Sequence, residues 1–89
     1  MRTYFERICL IVSVLETLGI PYSTNKIFDG WQIRFPWCNG DVCCHYGTYG
    51  AEDGMVKSFR FPWDNDDVSV LTPEKAATLI VSLYSAISA

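Results

Sequence analysis

A chain of 89 residues that is 49% hydrophobic, 15% aromatic and 19% charged has the apolar content for one core and too little length for a second folding unit. That balance excludes a disordered chain and leaves no need for metal or disulfide staples. The net charge is −3, with Asp41, Glu52, Asp53, Asp64, Asp66 and Asp67 set against Lys57 and Arg60 across residues 41–67. Such a stretch repels phosphate backbones and anionic lipid, so neither direct nucleic-acid binding nor membrane association is expected.

Thr3 followed by Glu6 fits a capping box, and apolar residues recur with helical spacing from Tyr4 to Leu18. This predicts a helix over Thr3–Leu18, ended by Gly19 with Pro21 close behind. Its apolar run Ile8–Leu15 is bracketed by Glu6 and Glu16, lacks a following small-residue cleavage site and is too short to span a bilayer. It therefore reads as helix rather than export signal, giving the expectation of a cytoplasmic protein with reduced Cys9, Cys38, Cys43 and Cys44. Leu10 and Val14 lie off the main stripe, so this helix is either deeply buried or meets a partner on its outer side.

Residues 22–30 read as irregular, with turn chemistry at Asp29-Gly30 and at most a short extended piece over Tyr22–Thr24. The strongest internal signal follows. Arg34–Val42 reads R-F-P-W-C-N-G-D-V and Arg60–Val68 reads R-F-P-W-D-N-D-D-V, identical at seven of nine positions. With only two copies, these are two strand ends of one sheet rather than a repeat array.

The first strand is predicted over Trp31–Trp37. Asn39-Gly40 is a strong two-residue hairpin signal, so Val42–Tyr49 should return antiparallel, with Trp37 facing Val42, Phe35 facing Cys44, Ile33 facing Tyr46 and Trp31 facing Thr48. One face of that hairpin is aromatic and buried, and the other carries Gln32, Arg34, Cys38, Asp41, Cys43, His45 and Tyr49. Glycines 47, 50 and 54 make a longer, mobile connection to a third strand over Met55–Trp63. There Phe59, Phe61 and Trp63 extend the buried face, and Ser58 and Arg60 the polar one. After an acidic loop, Thr72-Pro73-Glu74 supplies an N-cap, a first-turn proline and a first-turn acid for a second helix to about Ile87.

The expected fold is a single α+β domain of helix, three-stranded antiparallel sheet and helix (αβββα), with both helices on one sheet face. This order of elements is similar to that of double-stranded RNA-binding domains. Those begin their second helix with phosphate-gripping lysines, whereas this one begins Thr72-Pro73-Glu74-Lys75 behind three aspartates.

Cys38, Cys43 and His45, with Asp41 as a fourth donor, raise the question of a zinc site, but C-x4-C-C-H is not an established zinc spacing and buried thiols explain it better. Cys43 two residues from His45 meets only the crudest criterion for a thiol nucleophile. Asp64, Asp66 and Asp67 lack the glycine and distal glutamate of a calcium loop. The aromatic residues are core rather than a base-stacking platform. The expectation is a non-catalytic domain with no cofactor.

That leaves binding. Asp41, Glu52, Asp53, Asp64, Asp66 and Asp67 are the expected contacts to a protein partner with a basic surface. In general character such a domain resembles the small inhibitors that phages make against host defence nucleases such as CRISPR effectors, which implies carboxylates competing for a basic channel. The alternative is a dimeric binder of a small anionic ligand such as a nucleotide, through Arg34, His45 and Arg60 on the open sheet face. A homodimer would form through the first helix or through that face.

Overall fold

The computed structural model describes residues 1–48, 50–64 and 68–88. In chain order they form α1 (Tyr4–Leu18), β1 (Ser23–Ile27), β2 (Gly30–Arg34), β3 (Asp41–Cys44), a 3-10 turn (Ala51–Asp53), β4 (Val56–Phe59), β5 (Val68–Leu71) and α2 (Pro73–Ser88). The α+β class holds, but the sheet has five strands rather than three, paired antiparallel in the order β1-β2-β3-β4-β5.

Both helices begin and end where their sequence says. Thr3 and Glu6 exchange the two hydrogen bonds of a capping box, and Gly19 closes α1 with φ 69°, a left-handed conformation that glycine adopts without strain. At α2 the Thr72 hydroxyl accepts from Lys75 N at 3.1 Å. The helices pack on each other, α1 also on β2 and β3, and α2 on β4. Ile11, Leu15, Ile33, Val42, Cys44 and Ile80 make one core, each without measurable exposure.

The first hairpin is corrected in register. Trp31 lies opposite Cys44, Ile33 opposite Val42 and Arg34 opposite Asp41, a slip of four residues from the tight-turn expectation. Asn39-Gly40 is not the turn, because the chain crosses from β2 to β3 over residues 35–40. Gly40 serves packing instead: a Cβ there would lie 2.5 Å from the Phe61 ring. The slip is even, so the faces are kept within the paired residues, but the strand expected over Val42–Tyr49 ends at Cys44, and Tyr46, expected on the buried face opposite Ile33, is 75% exposed. Ile33, Val42 and Cys44 still point inward, and Gln32, Arg34, Asp41 and Cys43 outward.

A second correction concerns β4. Val56 and Ser58 face the helices, opposite Leu71 and Ser69, while Phe59 lies on the open side between Asp41 and Val68. Arg60 has φ 61° and so breaks the alternation, returning Phe61 to the core at 4% exposure. Ser58 tolerates full burial because its hydroxyl donates to Asp64 Oδ1 at 2.6 Å and accepts from Trp63 Nε1 at 3.2 Å.

In the connection between β3 and β4, expected to be mobile, the carbonyls of Ala51 and Met55 are bonded by a residue that composition had counted only as charge. Arg7 on α1 is 2% exposed. Its guanidinium donates to Ala51 O at 2.7 Å, Met55 O at 3.2 Å, Arg2 O at 3.0 Å and Cys44 Sγ at 3.5 Å. A buried cation needs acceptors, and here Nε and Nη1 find them on the chain before α1, on β3 and on both sides of the 3-10 turn, which joins that turn to the helix.

No helix among the described residues is long and apolar enough to cross a membrane.

Candidate interaction surface

β1 and β2 are joined by the two residues Phe28 and Asp29, with Ile27 opposite Gly30. So short a link needs a positive φ, and here it falls on Phe28 at 53°. Gly30 is fixed by crowding, since a Cβ there would meet Cys44 O at 1.9 Å and the His45 Cα at 2.6 Å. That close approach brings the segment after β3 against the turn. Asp29 Oδ1 accepts from Tyr46 N at 2.9 Å, and the Phe28 and His45 rings lie 5.1 Å apart.

The result is an aromatic end to the molecule. Phe28 is 80% and Tyr46 75% exposed, and they line a hollow of about 260 Å³ with Asp29 and His45. Tyr46 also borders a neighbouring hollow of about 380 Å³, whose rim carries Tyr4, Glu52 and Asp53. Phe5, itself half exposed, extends the aromatic ground along α1 to Trp31, 5.6 Å away, over which Lys26 is placed. Clustered exposed aromatic rings with charged neighbours are the composition of binding hot spots.

The six expected acidic contacts separate. Glu52 and Asp53 are exposed on the 3-10 turn. Asp41 is not available to a partner: it is 4% exposed, and its oxygens accept from Arg60 Nη2 at 2.6 Å, Gln32 Nε2 at 2.9 Å and Cys43 Sγ at 3.4 Å. Asp64 is likewise engaged, accepting from Ser58 Oγ and, at 2.9 Å, from Phe61 N. Both carboxylates hold strand ends together. Asp66 and Asp67 lie outside the described residues, as does Tyr49.

Arg34, His45 and Arg60 do not converge. Arg34 and Arg60 flank Asp41, but His45 lies four residues along the chain, roughly 13 Å at strand rise, and turns away to Phe28. Its Nδ1 sits 2.7 Å from Tyr46 O. The same departure separates His45 from Cys43 and Cys38, and among the described residues no three metal-ligating side chains come together. Burial first, and then Asp41 beside it, pushes the Cys43 thiol up to about 12, far from a reactive thiolate.

Comparison with protein-family models, with curated proteins and with solved structures yields no match. The surface must speak for itself.

Phe28 was missed because it stands in a stretch with no hydrophobic period. The usable signal was an aromatic residue directly before Asp29-Gly30, where turn chemistry concentrates.

Proposed function

We propose that this protein is a non-catalytic binding domain that seats Phe28 and Tyr46 in an apolar pocket of a protein partner, with Glu52 and Asp53 meeting basic residues around that pocket. The observation that carries this reading is Phe28. A left-handed backbone costs a bulky L-residue about 1–2 kcal/mol, and glycine would remove that cost. Phe28 regains little of it, because four-fifths of the residue faces water. A side chain placed against both local preference and burial marks a surface used for something other than stability.

Acidic Glu52, Asp53 and Asp29 around the rings favour a basic protein surface over phosphate. The nucleic-acid channel of a defence nuclease has that chemistry and is the partner class this reading favours. The test is Phe28→Gly alongside Tyr46→Ala, with the parent immobilised to capture partners from lysate. Phe28→Gly should melt no lower than the parent yet lose the captured protein, and Glu52→Gln with Asp53→Asn should slow association most at low salt. Full capture by Phe28→Gly, with loss instead in Arg34→Gln or Arg60→Gln, would move the site to the open sheet face.

A further inference from the structure

We infer that the hollow between Tyr4 and Tyr46 is the binding site for an arginine side chain. That the arginine belongs to a protein partner rests on the reading proposed above; that the hollow takes a guanidinium does not. The hollow holds about 380 Å³ between the start of α1 and the segment after β3, with the 3-10 turn as its third wall. Tyr4 is half-buried and Tyr46 is 75% exposed, and no lysine, arginine or histidine is among the described residues that line it.

The carboxylates decide its chemistry. Among the described residues, those of Glu6, Glu16, Asp29, Asp41, Asp64 and Glu74 each accept a hydrogen bond or ion pair from within the chain. Glu52 and Asp53 are the two that accept none, and both line this hollow. Nearby carbonyls are already used, Thr48 O by Ala51 N at 3.1 Å and Gly50 O by Asp53 N at 3.0 Å. What the hollow offers is therefore two unpaired carboxylates and two tyrosine rings, whose faces carry negative potential. Arg7 lies over Tyr4, its guanidinium 5.3 Å from the ring centroid, but one buried cation against two carboxylates leaves the hollow negative.

Among cations, arginine fits this set. A calcium ion takes about six to eight oxygens, and among the described residues no three metal-ligating side chains meet. A quaternary ammonium has no N–H to donate, so it would leave both carboxylates unbonded. A lysine ammonium can pair as a point charge but has no flat face to lay on a ring. The guanidinium does both: it stacks on an aromatic face while its fork donates to a carboxylate, and it is more weakly hydrated than an ammonium. Tyr4 and Tyr46 supply the face, and the 3-10 turn supplies the carboxylates.

Titration of the isotope-labelled parent with N-acetyl-argininamide, followed by amide chemical shifts, should saturate with the shifts centred on Tyr46, Glu52 and Asp53. The citrulline analogue, similar in shape but uncharged, should not bind, and the lysine analogue and tetramethylammonium should bind more weakly than arginine. Tyr46→Phe should keep the affinity, whereas Tyr46→Leu should lower it about two- to fivefold, the worth of one exposed cation–π contact. Glu52→Gln with Asp53→Asn should lower it by up to about fivefold for each carboxylate removed. Binding of the citrulline analogue, a lysine analogue or tetramethylammonium that binds as tightly as arginine, shifts centred elsewhere, or a Tyr46→Leu variant that binds like the parent would each overturn the proposal. A parent that saturates with the probe yet captures no protein would uphold the hollow and sink the partner reading. Capture that is lost in Phe28→Gly while the probe never saturates the parent would sink the hollow alone.

Discussion

The two copies of R-F-P-W put the same four residues to different use. In the first, Arg34 is the last residue of β2, in regular strand geometry and exposed, and Phe35 continues into the core at 5% exposure. In the second, β4 stops at Phe59, and Arg60 takes a left-handed backbone and an ion pair with buried Asp41 before Phe61 enters the core at 4%. The copies meet, because the Phe35 and Phe61 rings lie edge to face 5.9 Å apart. Each tryptophan then leaves differently. Trp37 packs on Tyr84 of α2 and donates to Pro21 O, while Trp63 stacks on Phe61 at 4.4 Å and donates to Ser58. What sequence identity preserved is the destination of the phenylalanine, not the path of the backbone.

The phenylalanines test that statement with the largest effect. Phe35→Ala and Phe61→Ala should each cost about 3–5 kcal/mol, equal within error although one follows a strand residue and the other a left-handed one. Where that exceeds the stability available, Phe→Leu at each site, at up to about 1.5 kcal/mol, keeps the comparison measurable in denaturant melts. The double variant should fall short of additivity by about 0.5–1.5 kcal/mol, the coupling of an aromatic pair. Unequal single costs or strict additivity would break the equivalence of the copies.

The same contrast explains what was legible in the sequence. Helix ends could be read because their signals are local: a capping box at Thr3, glycine at 19, and Thr72 before Pro73. Ile33, Val42 and Cys44 kept their face through a wrong register because four is an even slip, whereas Tyr46, expected on the same buried face, lies beyond β3 and is 75% exposed. By contrast, β1 was hidden, since Ser-Thr-Asn-Lys-Ile is an edge strand with four of its five residues exposed and has no hydrophobic period to betray it. The faces of Ser58 and Phe59 were inverted because a positive φ at Arg60 has no sequence signature. At the candidate surface, Glu52 and Asp53 were legible as charge, but Asp41 and Asp64 read as free acids until their donors were placed by folding.

The arginines sharpen the comparison at intermediate scale. Arg60→Ala leaves Asp41 buried with one charge partner fewer and keeps the awkward backbone, so it should cost about 1–2 kcal/mol, discounted because half of the arginine is solvated. Arg34→Ala, on an exposed strand position, should stay within about 0.5 kcal/mol. Arg60→Gly separates the two contributions, since it removes the ion pair but relieves the left-handed strain, and should fall between them. Chemical denaturation of the three variants decides it. Equal costs at positions 34 and 60 would mean that the ion pair with Asp41 contributes nothing.

The smallest effect is confined to alkaline solution and is read at Cys43, which shares the outward face of β3 with Asp41. Burial and the Asp41 carboxylate raise this thiol to about 12, and the Arg60 charge is the opposing influence that lowers it. The sign follows from which state keeps the proton. The unfolded thiol ionises near 9 while the folded one holds its proton to about 12, so the contribution to stability is complete below 9 and is lost as pH rises through that window. At neutral pH, Cys43→Ala should therefore differ from the parent only by lost packing and the lost Sγ–Asp41 hydrogen bond, and the gap should narrow above pH 9. Removing Arg60 takes away the influence that lowers the thiol. Peptide-resolved alkylation should show Cys43 still slower to react in Arg60→Gln than in the parent, with Arg34→Gln unchanged, provided both variants stay folded at the labelling pH. Equal alkylation profiles in the two variants would show that the arginines of the two copies stand in the same relation to Asp41 and Cys43, and the difference in backbone path would then have no electrostatic consequence.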